Sequence, residues 1–341
     1  MNSVSSLNVR SEKNLSLSLS LSLSLSKEDT ESLKKVHSTF LPWFLTTKFS
    51  ATLLAYCLVT LATCIKTFAW WLSQFPFLRN WHFLGKWGIS AAVAGCEYLP
   101  MTSGMHTAEI SGVYFTLLTG YMEALDNIFR MIQQQILCAL DNTRPPLEWY
   151  DWATAAGLVT CVSLQAMMHS RRDKASELLG ASEPTTKTPS REALTIGLIV
   201  LAVVLLSGFL CGVLFGGVTG QVYVLGSVAT LAKTFAWWIG QYPFMKNKSL
   251  LAKWLAGWSI AGIFEYLPLI GAMSMGQRHG INLALLTAYM EAMDNWFRDL
   301  QMRSLGKPIY WYDAASNFGM ATFVVFGGVS SYYYGREVHQ R

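Results

Sequence analysis

Apolar residues along this chain are grouped in long runs of about 20 residues with few charges, the length an α-helix needs to cross a bilayer. Short polar segments separate the runs. Nine transmembrane helices are predicted, at approximately 50–72, 87–105, 110–137, 149–169, 193–215, 222–240, 254–273, 281–301 and 311–334. The pattern therefore predicts an all-α, multi-pass integral membrane protein.

Composition agrees with this fold class. The chain is 52% hydrophobic and 14% charged, whereas soluble proteins carry about 25% charged residues. Lysines and arginines lie mainly in segments between apolar runs, where they orient a membrane protein. The net charge of +5 therefore does not indicate nucleic-acid binding. All six cysteines fall inside apolar runs, with no spacing typical of a disulfide framework or a metal site. No cofactor is predicted.

Four segments lie outside the predicted helical modules. Residues 1–49 form a low-complexity tail with six Leu-Ser units at 15–26, which we interpret as disordered. Its Ser-rich, acid-poor composition also fits an organellar transit peptide, so the sequence leaves the membrane open. Residues 170–192 are a polar linker, 193–215 a connecting transmembrane helix, and 335–341 a short C-terminal tail.

An internal repeat divides the rest into two four-helix modules, 50–169 and 222–334. "KTFAWWLSQFPF" at 66–77 matches "KTFAWWIGQYPF" at 233–244 in nine of twelve positions. The modules then continue in step through "EYLP", "LLTGYMEALDNIFR" against "LLTAYMEAMDNWFR", and a "WYD" before the fourth helix.

The single connecting helix sets the predicted topology. Four crossings would leave both modules facing the same way, and one further crossing turns the second upside down, as in many secondary transporters. The basic residues of equivalent loops agree with this topology, because the loop predicted on the cytosolic side is the more basic. Loop 241–253 contains three lysines, whereas 73–86 contains one lysine and one arginine. The positive-inside rule then places the N-terminus in the cytosol.

Ionisable residues inside the predicted spans are the candidate site, because each costs about 2.5–3.5 kcal/mol at the centre of a helix on insertion scales. Every one recurs in the other module. The predicted substrate- or proton-binding residues are Glu97, Glu123, Asp126, Asn127, Glu265, Glu291, Asp294 and Asn295. The predicted counter-charges are Lys66, Arg130, Lys233 and Arg298. A purely structural, self-neutralising network is the alternative.

The spacing of the third-helix residues predicts one polar face. Glu123, Asp126, Asn127 and Arg130 stand at i, i+3, i+4 and i+7, which an α-helix places on one side. The lysines of the first helices are expected to pair with these acids or with Glu97 and Glu265. The prolines three residues after those two glutamates are expected to break or kink the second helices. The tryptophan pairs are interpreted as membrane-interface markers, with cation–π contact to a cationic ligand as the alternative.

These motifs resemble the drug/metabolite transporter superfamily, in particular a small four-helix branch related to the small multidrug resistance proteins. "TFAWW" resembles its first helix, "CEYLP" and "FEYLP" its second, Glu123 and Glu291 its central glutamate, and "GKPIYWYD" its last turn. The resemblance covers both modules, and it implies antiparallel pairing of four-helix units, here duplicated and fused. It departs at the first helix, where Lys66 and Lys233 stand instead of a coupling carboxylate.

The sequence thus predicts a carrier that moves a small molecule, with or without proton coupling, by alternating access between the modules. No catalytic residues and no enzymatic activity are predicted, because the sequence has no HExxH and no Gly-x-Ser-x-Gly motif. The predicted partners are the substrate and the lipid bilayer, and self-association into a homo-oligomer is allowed. The alternative function is a non-transporting membrane scaffold or assembly protein.

Overall fold

The computed structural model describes residues 48–140, 147–179, 217–307 and 309–340, with side chains from 50 in the first range and up to 172 and 334 in the second and fourth. The predicted connecting helix at 193–215, residues 1–47 of the predicted tail and most of the predicted linker lie outside these ranges. The chain divides into two units, Met1–Leu53 and Leu54–Arg341. Of the first unit only 48–53 is described, as the start of a helix, and every contact below lies in the second.

The described residues are all-helical and contain no strand. The first module consists of α1 (Lys48–Trp71), α2 (Phe83–Ser111), α3 (Phe115–Leu140) and α4 (Trp149–Leu179). The second consists of α5 (Gly217–Trp238), α6 (Leu250–Arg278), α7 (Leu283–Ser304) and α8 (Trp311–Gln340).

Within the described ranges, three helical segments are long and apolar enough to cross a membrane: Ser50–Gln74, Gly217–Gln241 and Leu250–Arg278. They contain three of the nine predicted spans. The third helices are less apolar because each carries two acids and an arginine within eight residues, as in Glu123 to Arg130. The count of nine therefore remains a prediction.

Local sequence explains where the helices begin and end. The side chain of Ser249 caps α6, and that of Asn282 accepts hydrogen bonds from the backbone of Ala284 and Leu285 at the start of α7. Gly112 and Gly280 follow α2 and α6 with φ of 69° and 64°, a left-handed conformation that favours glycine.

The helix α4 differs from the prediction, because it continues to Leu179, ten residues into the predicted linker. The added sequence "SRRDKASELL" contains neither glycine nor proline, and Gly180 is the first helix-breaking residue after it. The helix α2 does not break at Pro100 as expected, because it continues from Phe83 to Ser111 through that residue.

The second helices differ by one residue, and α6 absorbs the difference. Lys86 and Glu97 are eleven positions apart, whereas Lys253 and Glu265 are twelve apart. A π-helical segment, Ala261–Glu265, interrupts α6 just before its glutamate. A π-bulge accommodates one extra residue. Glu265 therefore keeps the orientation that Glu97 has in the other module.

Equivalent helices of the two modules contact each other in antiparallel directions. Between α2 and α6, indole N–H groups donate to backbone carbonyls in the pairs Trp87–Gly262 (2.7 Å), Trp258–Ala91 (2.8 Å) and Trp254–Gly95 (2.9 Å). The α2 residue number rises in steps of four, from 87 to 95, while the α6 number falls in steps of four, from 262 to 254, so the two helices are antiparallel.

The fourth helices show the same direction. Tyr150 near the start of α4 stacks on Tyr334 near the end of α8, at 6.5 Å between ring centroids. At the opposite end of α4, the imidazole Nδ1 of His169 lies 2.9 Å from the hydroxyl of Tyr312, near the start of α8. The two modules therefore pack about an approximate two-fold axis that lies across the helices.

Candidate functional site

Six buried ionisable side chains meet where the two modules pack, and we call them the lysine–carboxylate cluster. Its members are Lys66, Glu123, Asp126, Lys233, Glu291 and Asp294. None is more than 3% exposed. The first helix of each module supplies the lysine, and the third helix supplies the two acids, one turn apart, as their i, i+3 spacing predicts.

Each lysine binds the aspartate of its own module and a glutamate of the other. The ammonium of Lys66 lies 2.9 Å from Asp126 and 2.8 Å from Glu291. That of Lys233 lies 2.9 Å from Asp294 and 3.3 Å from Glu123. The expected pairing of the lysines with third-helix acids is confirmed.

The cluster is not fully symmetric. Glu291 is shared, because its second oxygen lies 3.5 Å from the ammonium of Lys233. The second oxygen of Glu123 is buried and has no hydrogen-bond partner among the described residues. The Thr67 and Thr234 hydroxyls donate to Asp126 and Asp294, which fixes the two aspartates alike.

The second-helix glutamates are held by the opposite module. Glu265 accepts from the Trp70 indole (2.8 Å) and the Tyr98 hydroxyl (2.9 Å). Glu97 accepts in the same way from Trp237 (3.1 Å) and Tyr266 (2.7 Å). Two donors from one module thus bind each carboxylate of the other.

Trp70 and Trp237 also lie against the lysines. The ammonium of Lys66 is 4.4 Å from the ring centroid of Trp70, and that of Lys233 is 4.5 Å from that of Trp237. Each indole ring therefore lies beside an ammonium while its N–H binds a carboxylate. The membrane-interface interpretation of these residues is wrong. They are at most 4% exposed, and the cations beside them are the protein's own lysines. The predicted alternative, cation–π contact with a cationic ligand, stays a prediction.

The two third-helix arginines occupy equivalent positions but have different partners. Arg130 donates to the backbone carbonyl of Ala284, to the Thr287 hydroxyl (2.9 Å) and to the Asn127 side chain (2.7 Å). All three guanidinium nitrogens of Arg298 are buried without a hydrogen-bond partner among the described residues. Its nearest ionic neighbour is Asp299, at 3.6 Å.

The two predicted asparagines hold the helix backbone. The amides of Asn127 and Asn295 donate to the carbonyls of Glu123 and Glu291, at 2.8 and 3.0 Å. The structure thus buries all ten predicted charges, and Asn127 links Arg130 to the backbone of Glu123, whereas Asn295 makes only the backbone contact.

Carboxylates outnumber cations in this set. Six acids face four bases, so the net charge is −2 when all ten are ionised. All ten are at most 3% exposed. An uncompensated buried charge is costly, so two protons or an equivalent positive charge must accompany the set. Carboxylate oxygens of Glu123, Asp126 and Glu291 lie within 4.8 Å of one another, close enough to share a cation.

Two further aspartates were missed. Asp313, from the second "WYD", is fully buried and accepts from the Tyr114 hydroxyl (3.0 Å) and the Gln165 amide (2.6 Å) of the first module. Asp151, from the first "WYD", accepts from Asn282 of the second (3.2 Å). The repeated "WYD" motif indicates duplication in the sequence, and its spacing alone does not predict that its aspartate binds across the modules.

Gly306 and Lys307, before α8, lie outside the helices and contribute a further cation. The Lys307 ammonium lies 4.1 Å from the ring centroid of Phe115 and donates to the Gln241 side chain at 3.4 Å. Burial at this position lowers the pKa of Lys307.

No family model, no curated protein and no solved structure matches this chain.

Proposed function

We propose that this chain is a secondary carrier of the drug/metabolite type, which moves a small molecule across a membrane by alternating access between two inverted four-helix modules. The observation that carries this proposal is the excess of buried carboxylates between the modules. A network that serves only to hold helices together gains nothing from leaving charge uncompensated. Groups that bind and release protons or a cationic substrate need that excess.

The proposed topology has nine transmembrane helices, with 193–215 as the crossing that inverts the second module. Its support is the antiparallel contact of equivalent helices, as between Trp87–Gly95 of α2 and Trp254–Gly262 of α6. An axis that lies across membrane-spanning helices lies in the membrane plane, which is the arrangement of inverted-repeat transporters.

In the proposed mechanism, Glu123 and Glu291 bind the substrate or proton, and the lysines neutralise them between binding events. Lys66 and Lys233 each bridge the two modules through these glutamates, so loading a glutamate weakens a contact between modules. Glu97 and Glu265 form a second pair that responds to the same movement, because all of their donors come from the other module.

The second candidate function is a scaffold or assembly protein. The observation in its favour is that every contact within the lysine–carboxylate cluster is buried away from solvent. The two functions differ in their need for ionisable glutamates, because a scaffold tolerates neutral replacement of a matched pair.

The test is the double variant Glu123→Gln/Glu291→Gln in reconstituted liposomes. Uptake of a panel of radiolabelled small cations, zwitterions and carboxylates is measured with and without a pH gradient. We expect wild-type uptake of at least one class, and a fall to the level of empty liposomes in the variant at unchanged membrane insertion. The matched control is Glu109→Gln/Glu148→Gln, which removes two acids outside the cluster. Equal uptake by the double variant and wild type would reject the carrier and favour the scaffold.

A further inference from the structure

The two ends of the third-helix contact differ in how well their polar groups are bonded. At one end, Arg130 of α3 reaches across to Ala284 and Thr287 of α7, as described above. At the other, Arg298 of α7 lies beside Gly120 of α3, with its Nη1 3.9 Å from the place that a Cβ on Gly120 would occupy. These ends are related by the approximate two-fold axis, so identical contacts would be expected at both.

The first module offers Arg298 the same acceptors. Thr116 and Thr119 stand where Ala284 and Thr287 stand in the second module. The Asn295 oxygen corresponds to the Asn127 oxygen that Arg130 binds, but it has no partner among the described residues. The contact that closes the Arg130 end is therefore available at the Arg298 end and is not made.

Two other polar atoms at the Arg298 end are buried without a hydrogen bond within the described residues. They are the side-chain oxygen of Gln165 and one oxygen of Asp299. Both Gln165 and Arg298 approach Gly120, which places them at one site. Buried donors and acceptors without protein partners are satisfied by water. At the Arg130 end, only the guanidinium Nε is unbonded among the corresponding atoms of Arg130, Asn127 and Thr287.

We propose that Arg298 lies in a water-binding access site, whereas Arg130 closes the opposite end as a latch, by which we mean its hydrogen bonds to Ala284, Thr287 and Asn127. The two arginines exchange these roles during the transport cycle. In the other state Arg298 donates to Thr119, to the Thr116 carbonyl and to Asn295, and water reaches Arg130. This proposal rests on the proposed carrier function and adds to it the residues that open and close each end.

The test uses two variants that each add one reporter cysteine to the native six, Thr116→Cys and Ala284→Cys, at mirror positions. Each variant is held in lipid nanodiscs. Both positions are at most 2% exposed, so only local opening admits a reagent. A small, charged methanethiosulfonate labels the protein, and peptide mass spectrometry reads each cysteine separately. The six native cysteines serve as internal references.

We expect Thr116→Cys to react faster than Ala284→Cys in the otherwise wild-type protein. Adding Arg130→Gln removes the latch, so the ratio of the two rates should shift toward Ala284→Cys by about tenfold, the effect of one lost charge-assisted hydrogen bond. The matched control Arg298→Gln should leave the order of the rates unchanged. Thr287→Val, which removes one acceptor and leaves no charge unpaired, should shift the ratio in the same direction as Arg130→Gln.

Equal rates at the two reporters, or rates that rise together in Arg130→Gln and Thr287→Val, would overturn the exchange. The labelling requires no transport. Reciprocal labelling without uptake would therefore reject the carrier alone, and uptake without reciprocal labelling would reject the exchange alone.

Discussion

The two modules contain matched sets of five buried charges and bind them differently. In the first, Lys66 makes two short contacts and Arg130 is bound by three acceptors. In the second, Lys233 spreads over three carboxylates at up to 3.5 Å, and Arg298 has no hydrogen bond within the described residues. Duplication thus supplies matched chemistry, while packing decides which copy is tightly bound.

The largest expected effect comes from removing one lysine. Lys66→Met leaves the buried Asp126 without its lysine and Glu291 with only its 3.5 Å contact to Lys233, and breaking such pairs costs about 3–5 kcal/mol. Lys233→Met should cost less, because two of its three contacts are longer. The measurement is the thermal unfolding midpoint in detergent.

Adding Glu291→Gln to Lys66→Met should recover part of the loss, because it removes one of the charges that lost its contact with Lys66. Adding Glu148→Gln, which neutralises an exposed acid, should recover nothing. A larger loss for Lys233→Met than for Lys66→Met would contradict the comparison of the two modules.

An intermediate effect is expected at the two "WYD" aspartates. Asp313→Asn replaces a buried acceptor of three hydrogen bonds, and hydrogen bonds to a charged group contribute about 1.5–3 kcal/mol each. Asp151 is only partly buried and has longer contacts, so Asp151→Asn should destabilise less. Unfolding midpoints of the two variants, compared side by side, check the order, and equal midpoints would count against it.

The smallest effect is expected from shortening the π segment. Deleting Ile263, which is 51% exposed, gives α6 the spacing of α2 and keeps Glu265 on its face, so we expect a loss of about 1 kcal/mol. Deleting Val93 from α2 instead turns the residues on one side of it by about 100° relative to those on the other. That variant should unfold far more easily, as judged by yield and by unfolding in detergent. Similar behaviour of the two deletions would show that the π segment does not absorb the extra residue.

Much of the site could be predicted because helical periodicity fixes which residues share a face. The spacing from Glu123 to Arg130 placed the third-helix acids toward a lysine, and the structure pairs them so. Periodicity does not say which neighbour a face meets. It therefore could not predict that Glu291 bridges both lysines, or that Trp70 binds Glu265 of the other module.

Other parts were beyond sequence reasoning for different reasons. A tryptophan beside a predicted span fits both a membrane boundary and a buried donor, and only packing distinguishes them. The extra turns of α4 after residue 169 are charged, so a hydropathy pattern ends before the helix does. The different environments of Arg130 and Arg298 follow from packing and from neighbours that differ between the modules, such as Met131 against Asp299, and the shared motif does not reveal them.

Trp258 occupies in its module the position that Ala91 occupies in the other, and its indole binds the carbonyl of that same residue. A side chain that contacts the equivalent residue of the other module lies on the two-fold axis between the modules. The space on that axis occurs only once in the molecule. Two identical polypeptides would have to place a large ring there twice, or not at all. Joining the copies in one gene product lifted that restriction, so one half became bulky where the other stayed small.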